Sequence, residues 1–290
     1  MIEFTEYAIL GLLSGGVMAL IALSFVLIFK GTGVVNFAVG EVMMVGAYLY
    51  YAASVTFELP PLIAFAISLI GISIFGAVIE RSILRPLSGQ PGIAVMMATI
   101  GMSSILHGGV EAIWGGDTYA PPALLPRKPV FLGEIMIPGS VLGNFAVATA
   151  IILGFLLFFR YSRTGVALRA TASDPVTAAT LGININFASR LTWILAGTVG
   201  TVAGVLISSS AGLSPALAGA AMSVFAAIIL GGMDSVLGAI VASLIIGLAE
   251  ALTAGYLGGK ARDIVPYLVV LLILIVRPFG IFGSRTIERL

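Results

Sequence analysis

Long apolar runs alternate with short polar strips along the chain, and arginine marks most of the strips. The first run covers about Tyr7 to Phe29 and ends at Lys30. The stretch from Gly31 to Glu41, GTGVVNFAVGE, interrupts it with glycines and an asparagine, and the run resumes as VMMVGAYLYYAAS. Tyr48, Tyr50 and Tyr51 suit an interfacial aromatic belt at the end of this second run. Pro60 and Pro61 open a third run, which closes at Glu80-Arg81 within the strip ERSILRPLSGQPG; a fourth covers Ile93 to Trp114. The proline-rich loop that follows is too polar to span and too rich in proline for a long helix. Its VFLGEIMI reads as a short hairpin. A fifth run, Val141 to Phe159, leads into a polar segment from Arg160 to Arg190. Then come LTWILAGTVGTVAGVLIS, a break at SSSAGLSPALAGAA, and runs over Met222–Leu230, Ser235–Leu257 and Ile264–Val276. This pattern predicts an all-α polytopic membrane protein with about eight or nine transmembrane or re-entrant helices. It forms one transmembrane domain over 1–290, with two weakly repeated halves, 1–159 and 191–290, around the segment 160–190.

Composition supports the pattern. The chain is 59% hydrophobic and 9% charged, against roughly 25% charged residues in a soluble domain. A surface this apolar calls for lipid. The net charge of +1 draws no nucleic acid. The absence of cysteine removes disulfides and thiolate chemistry. The N-terminus, MIEFTEYAIL, is acidic, so the first run reads as a retained helix rather than a cleaved signal peptide. If the central segment lies on the cytoplasmic side, Arg81, Arg85, Arg160, Arg163, Arg169, Arg190, Arg277, Arg285 and Arg289 all fall inside. Arg127, Lys128, Lys260 and Arg262 then fall outside, which satisfies the positive-inside rule. That orientation puts the N-terminus outside and the C-terminus in the cytoplasm.

Two features point to a pathway. The break at Gly31, Gly33 and Gly40 is echoed by one at Gly212, Pro215 and Gly219. Paired interruptions in corresponding halves are a pointer to a transporter's central path, although small residues also serve close helix packing. Glu41, Glu111, Glu250 and the lone His107 sit in or beside apolar runs. A charge at mid-membrane costs at least about 2.5–3.5 kcal/mol, so such groups usually face a cavity or a partner. Glu41 follows a break and is the first candidate; Glu250, in GLAEAL, is the second. His107 and Glu111 are spaced to share a helix face.

The central segment carries a short amphipathic pattern: Val166, Leu168 and Ala170, then Val176, Ala178, Ala179 and Leu181. Pro175 can open a helical turn and Gly182 can close one. Such an element can lie on an anionic leaflet, dock in a soluble partner's groove, or be a solvated positive-inside loop. Catalysis has no support, because GxSxG, HExxH and a P-loop are all missing; in GYLGGKAR, Ala261 stands where Ser or Thr would hold magnesium. One histidine does not build a typical zinc site.

Five boxes in order carry a resemblance. They are Asn36-Phe37-Ala38 with Gly40-Glu41; Glu80-Arg81 with Arg85-Pro86-Leu87; Gly165, Arg169-Ala170, Asp174, Ala178 and Leu181-Gly182-Ile183; Gly231-Gly232, Ser235, Gly238-Ala239, Gly247 and Glu250; and Arg277-Pro278, Gly280 and Gly283. With them, essentially the whole chain resembles the permease subunits of bacterial branched-chain amino acid ABC importers, the LivH type. The resemblance implies a multi-pass protein of the bacterial inner membrane that binds no cofactor itself. Its ATP and magnesium would sit on two cytoplasmic ATPase subunits. A second permease chain of LivM type and a periplasmic substrate-binding protein would complete the assembly. The central segment becomes an ATPase-coupling element, with Leu168, Val176 and Leu181 as contact area, Arg169 and Asp174 as a polar rim, and Ala178 and Gly182 in the same box. Asn36, Phe37, Val39, Glu41 and Glu250 become candidates for the translocation pathway.

Two positions depart from the pattern. Val39 stands where the family often has His or Gln, so a pathway-facing side chain there would favour more apolar or aromatic cargo. Asp234 stands where Gly is usual, and at the inner mouth it would add a negative charge. Relatives carrying urea, amides or organic acids keep the cargo open. The alternative is a stand-alone channel or ion-coupled carrier with Glu41 or Glu250 as a proton site.

Overall fold

The computed structural model describes residues 2–125, 128–133, 135–262, 264–277 and 280–283. Arg127, Pro278, Arg285 and Arg289 lie outside the described residues. In chain order the helices are α1 (Ile2–Thr32), α2 (Val39–Tyr51), α3 (Pro61–Ile79), α4 (Gly92–Trp114), α5 (Gly139–Tyr161), α6 (Arg163–Ser173), α7 (Pro175–Thr180), α8 (Ile185–Ala211), α9 (Ala220–Gly231), α10 (Val236–Leu257), α11 (Gly259–Arg262) and α12 (Val265–Val276). Six of the described helices, α1, α3, α4, α5, α8 and α10, are long and apolar enough to cross a membrane. The shorter apolar helices α2, α9 and α12 complete the polytopic all-helical fold. The hairpin in the proline-rich loop is present as β1 (Val130–Leu132) antiparallel to β2 (Ile135–Ile137).

Helices α1 and α8 form the centre. The 31 residues of α1 extend about 46 Å at 1.5 Å per residue, longer than a hydrocarbon core of about 30 Å. Bare glycines let its neighbours approach. A Cβ on Gly247 of α10 would lie 2.6 Å from the Gly15 Cα of α1, and one on Gly204 of α8 would lie 2.8 Å from the Met43 carbonyl of α2. This is small-residue packing, the usual driving geometry where lipid removes a hydrophobic force between helices. The outer helices present Ile70, Ile74, Ile105, Leu153 and Leu157 outward, as a lipid solvent requires.

The tyrosines of α2 depart from the expected belt. Tyr48 and Tyr50 are fully buried. The Tyr50 hydroxyl donates to the Pro122 carbonyl at 2.8 Å, Tyr48 packs on Trp114, and Tyr51 packs on Tyr119. The proline-rich loop folds over the end of α2, so Tyr48 and Tyr50 are core rather than interface, while Tyr51 is half-buried. Their burial follows from a loop that nothing in the α2 sequence announces.

The boundaries of two interruptions also shift. Helix α2 restarts at Val39, so Glu41 lies in its first turn rather than in the break. Helix α8 begins at Ile185, so Arg190 is helical and the central polar segment ends sooner than its arginines indicate.

Candidate functional site

The central segment is a pair of helices with well-made ends. The Ser162 hydroxyl accepts from Gly165 N at 2.8 Å and caps α6. Gly165 lies so close to the end of α5 that a Cβ there would be 2.5 Å from the Phe158 carbonyl. The Asp174 carboxylate caps α7, accepting from Val176 N, Thr177 N and Thr177 Oγ1 at 3.0, 3.1 and 2.5 Å. These hydrogen bonds, the Thr177 hydroxyl first, hold its carboxyl below the ordinary carboxylate range. At the far end Gly182 adopts φ +84°, and Ile183 N reaches back to the Ala178 carbonyl at 3.0 Å. This is the left-handed glycine stop of a Schellman motif. Asn184 then caps α8 by accepting from Phe187 N at 3.0 Å.

The faces of this pair sort the expected coupling residues. Val176 and Leu181 are about three-quarters exposed, at 74% and 75%, whereas Leu168 and Ala178 are buried. Leu168 therefore packs inward on the chain's own helices and is not part of an outward contact area. Arg169 also turns back: its guanidinium reaches the Arg160 carbonyl at 3.4 Å and lies over the Phe159 ring. Asp174 is exposed, and its oxygens are engaged in the cap.

Behind the pair lies a cavity of about 310 Å³, the inner cavity only in the sense that it is on the α6–α7 side of the bundle. Pro175 of α7, Asn36 of the first break, Glu80, Thr99 and Trp193 all line it. Asn36 is buried; its Oδ1 accepts from Ala38 N at 3.0 Å, while its Nδ2 and the indole N–H of Trp193 have no hydrogen-bond partner among the described residues. Glu80 is almost fully buried, with Oε2 2.9 Å from Arg85 Nη2 and 3.8 Å from Arg190 Nε. A π-helical turn over Glu80–Leu84 puts Arg85 within reach. The five-residue spacing of Glu80 and Arg85 within ERSILRPL is the sequence signal for this cluster.

A second cavity of about 300 Å³, the outer one in the sense that it is on the α11 side, lies between α1, α5, α8, α9 and α10. Glu250 and Arg262 line it, and both Nε and Nη2 of Arg262 lie 3.0 Å from Glu250 Oε2. The five pathway candidates thus do not share one site. Asn36 lines the inner cavity and Glu250 the outer one. Phe37 stacks on Phe225 at 5.5 Å, and Glu41 is half-buried. Val39 is buried in the core and lines neither cavity. Asp234 is half-buried, and its carbonyl accepts from Lys30 Nζ at 3.4 Å.

The two breaks meet. A Cβ on Gly40 would lie 2.4 Å from the Ala218 carbonyl and 2.9 Å from Ala221 Cβ. Leu213, Pro215, Leu217 and Ala218 are buried, so this irregular backbone sits within protein, where it is tolerated.

Among the described residues, nine apolar helices, the two cavities and the paired buried interruptions mark a polytopic helical permease. The sequence matches the family described as branched-chain amino acid transport system / permease component over residues 7–274, and the chain belongs to that family. It is 34% identical to the high-affinity branched-chain amino acid transport system permease protein BraD of Pseudomonas aeruginosa, over 99% of this chain and 98% of that protein. It is 33% identical to the LivH permease protein of Escherichia coli, over 99% of this chain and 97% of that protein. A probable LivH permease of Methanocaldococcus jannaschii shares 26% identity over 92% of this chain and 88% of its own length. Among solved structures, PsaBC from Streptococcus pneumoniae in complex with Fab has the same fold, with TM-score 0.51, 15% identity, and 92% and 91% of the two chains covered.

Proposed function

We propose that this chain is the membrane-spanning permease subunit of an ATP-driven importer for branched-chain amino acids. Two cytoplasmic ATPases, a second permease chain and a substrate-binding protein complete it, and ATP and magnesium stay on the ATPases. The α6–α7 pair lies on the cytoplasmic side with the C-terminus, and the N-terminus lies outside. The observation that carries the reading is this doubly capped helix pair, set between membrane helices α5 and α8 with Val176 and Leu181 bare. Exposed apolar side chains on a rigid short helix suit a groove in a soluble partner.

The geometry supports a route for the stroke. Movement of α7 reaches the inner cavity directly, because Pro175 lines it. It reaches α8 through the Asn184 cap and α3 through the Arg190–Glu80 contact. Helix α8 in turn touches α2 at Gly204, one strand of the meeting point between the two breaks. Rigid-body tilting of this kind alternates access around a fixed path. The binding protein sets most of the specificity, so the permease path need hold its cargo only weakly.

Affinity capture of the chain from native membranes, expressed from its own operon, tests the reading. Recovery of P-loop ATPases with a second permease supports it. Recovery of the intact, folded chain alone turns the reading to an ion-coupled carrier, for which flux would follow a pH gradient.

A further inference from the structure

The outer cavity has a chemical asymmetry that the coupling account does not use. One end carries the Glu250–Arg262 ion pair, with Glu250 4% exposed and the Arg262 side chain 53% exposed. The rest is largely apolar, with Val17, Met18, Val141 and Ile207 among its walls. We propose that this cavity is a transient subsite for a zwitterionic α-amino acid with an aliphatic side chain: Glu250 takes the ammonium group, Arg262 takes the carboxylate, and the side chain lies against the apolar walls. The inference rests on the importer reading above and adds the place and the chemistry of recognition.

The charges balance. The incoming zwitterion opens the Glu250–Arg262 contact and sets a counter-charge against each partner, so the buried Glu250 carboxylate keeps a cation beside it. Arginine presents a fork that matches a carboxylate. An aliphatic side chain gains from leaving water for the apolar walls. Arg262 then acts as a competing internal ligand. When it swings back onto Glu250 it expels the cargo, which keeps affinity low, as a path requires. A molecule with only one of the two charges offers a counter-charge to only one of Glu250 and Arg262 and competes poorly.

The test uses the assembled complex, purified from its own operon and reconstituted with its binding protein, with the diazirine analogue of leucine as probe. Uptake of labelled leucine is measured on the same preparation. Illumination is expected to label α1 near Val17–Met18 or α8 near Ile207. Leucine should compete at least tenfold better than 4-methylpentanoate, which lacks the ammonium, or isoamylamine, which lacks the carboxylate. Glu250→Gln and Arg262→Gln should each lower labelling at least fivefold. The double exchange Glu250→Arg with Arg262→Glu rebuilds an ion pair with reversed polarity; it should restore thermal stability and leave labelling low. Ile207→Phe fills the cavity away from the ion pair and should also lower labelling. Label confined to other parts of the chain while leucine uptake is intact overturns the subsite, and so does full labelling by the double exchange. Failure of the wild-type complex to take up leucine overturns the importer reading itself.

Discussion

Glu80 and Arg190 meet at the α6–α7 end of the bundle, with Oε2 of the one 3.8 Å from Nε of the other. The contact ties the end of α3 to the second turn of α8, the helix that follows α6 and α7 in the chain. Arg85 closes on the same carboxylate more tightly, with Nη2 at 3.2 and 2.9 Å from its two oxygens. Glu80→Gln leaves two cations with a neutral partner. Because both are partly exposed, the expected loss is about 1–3 kcal/mol, short of a fully buried pair. Arg85→Lys should cost more than Arg190→Lys, since only Arg85 grips both oxygens. Thermal unfolding of the detergent-solubilised protein ranks the three.

Val176 and Leu181 face outward while Leu168 faces inward. Leu181→Asp and Val176→Asp should therefore leave membrane insertion and thermal stability intact and abolish ATPase capture and transport. Leu168→Ala should instead lower stability, by about 2–5 kcal/mol as buried leucine truncations do. Wild-type uptake by Leu181→Asp would remove α7 from the coupling contact.

The Asp174 cap has a pH dependence of defined sign. Its folded carboxyl titrates below the ordinary value, so the cap's contribution is complete above the ordinary carboxylate range. It is lost as pH falls through the lowered value. Protection of the Val176 and Thr177 amides, taken relative to their intrinsic exchange at each pH, should fall over that acidic interval. Asp174→Asn, which keeps an accepting oxygen, should remove the pH dependence and retain protection, while Asp174→Ala should lose protection at every pH.

Gly40 and Gly101 make opposite predictions. Gly40 has no room for a Cβ against Ala218 and Ala221, whereas Gly101 in α4 has nothing within 4 Å. Gly40→Ala should destabilise by about 1–3 kcal/mol through overpacking. Gly101→Ala should be neutral or stabilise by up to about 1 kcal/mol, since it removes backbone freedom from a helix interior. Unfolding midpoints of the two variants read the difference.

Local chemistry was the legible part of this chain. Asp174, Pro175 and Gly182 announce the ends of α7 by residue type alone, because caps and stops depend on neighbours a few residues away. The two glycine breaks and the apolar runs were legible for the same reason. Relations across the fold were not. The Glu80–Arg190 contact joins distant parts of the chain, and the Glu250–Arg262 pair depends on α11 turning back over the end of α10. Leu168 illustrates a sharper limit. An apolar residue on a short amphipathic helix satisfies either an inner core or an outer partner, and only packing chooses between them. Tyr48 and Tyr50 sit in the core rather than in the expected belt, because a tyrosine suits an interface and a covered core equally well.

The most direct test of the account is accumulation of labelled leucine in proteoliposomes that contain the complex co-purified with this chain, supplied with its binding protein. The account predicts accumulation that requires both enclosed ATP and the binding protein, and that Leu181→Asp abolishes. Leucine flux through this chain alone, driven by a pH gradient without ATP, would contradict it.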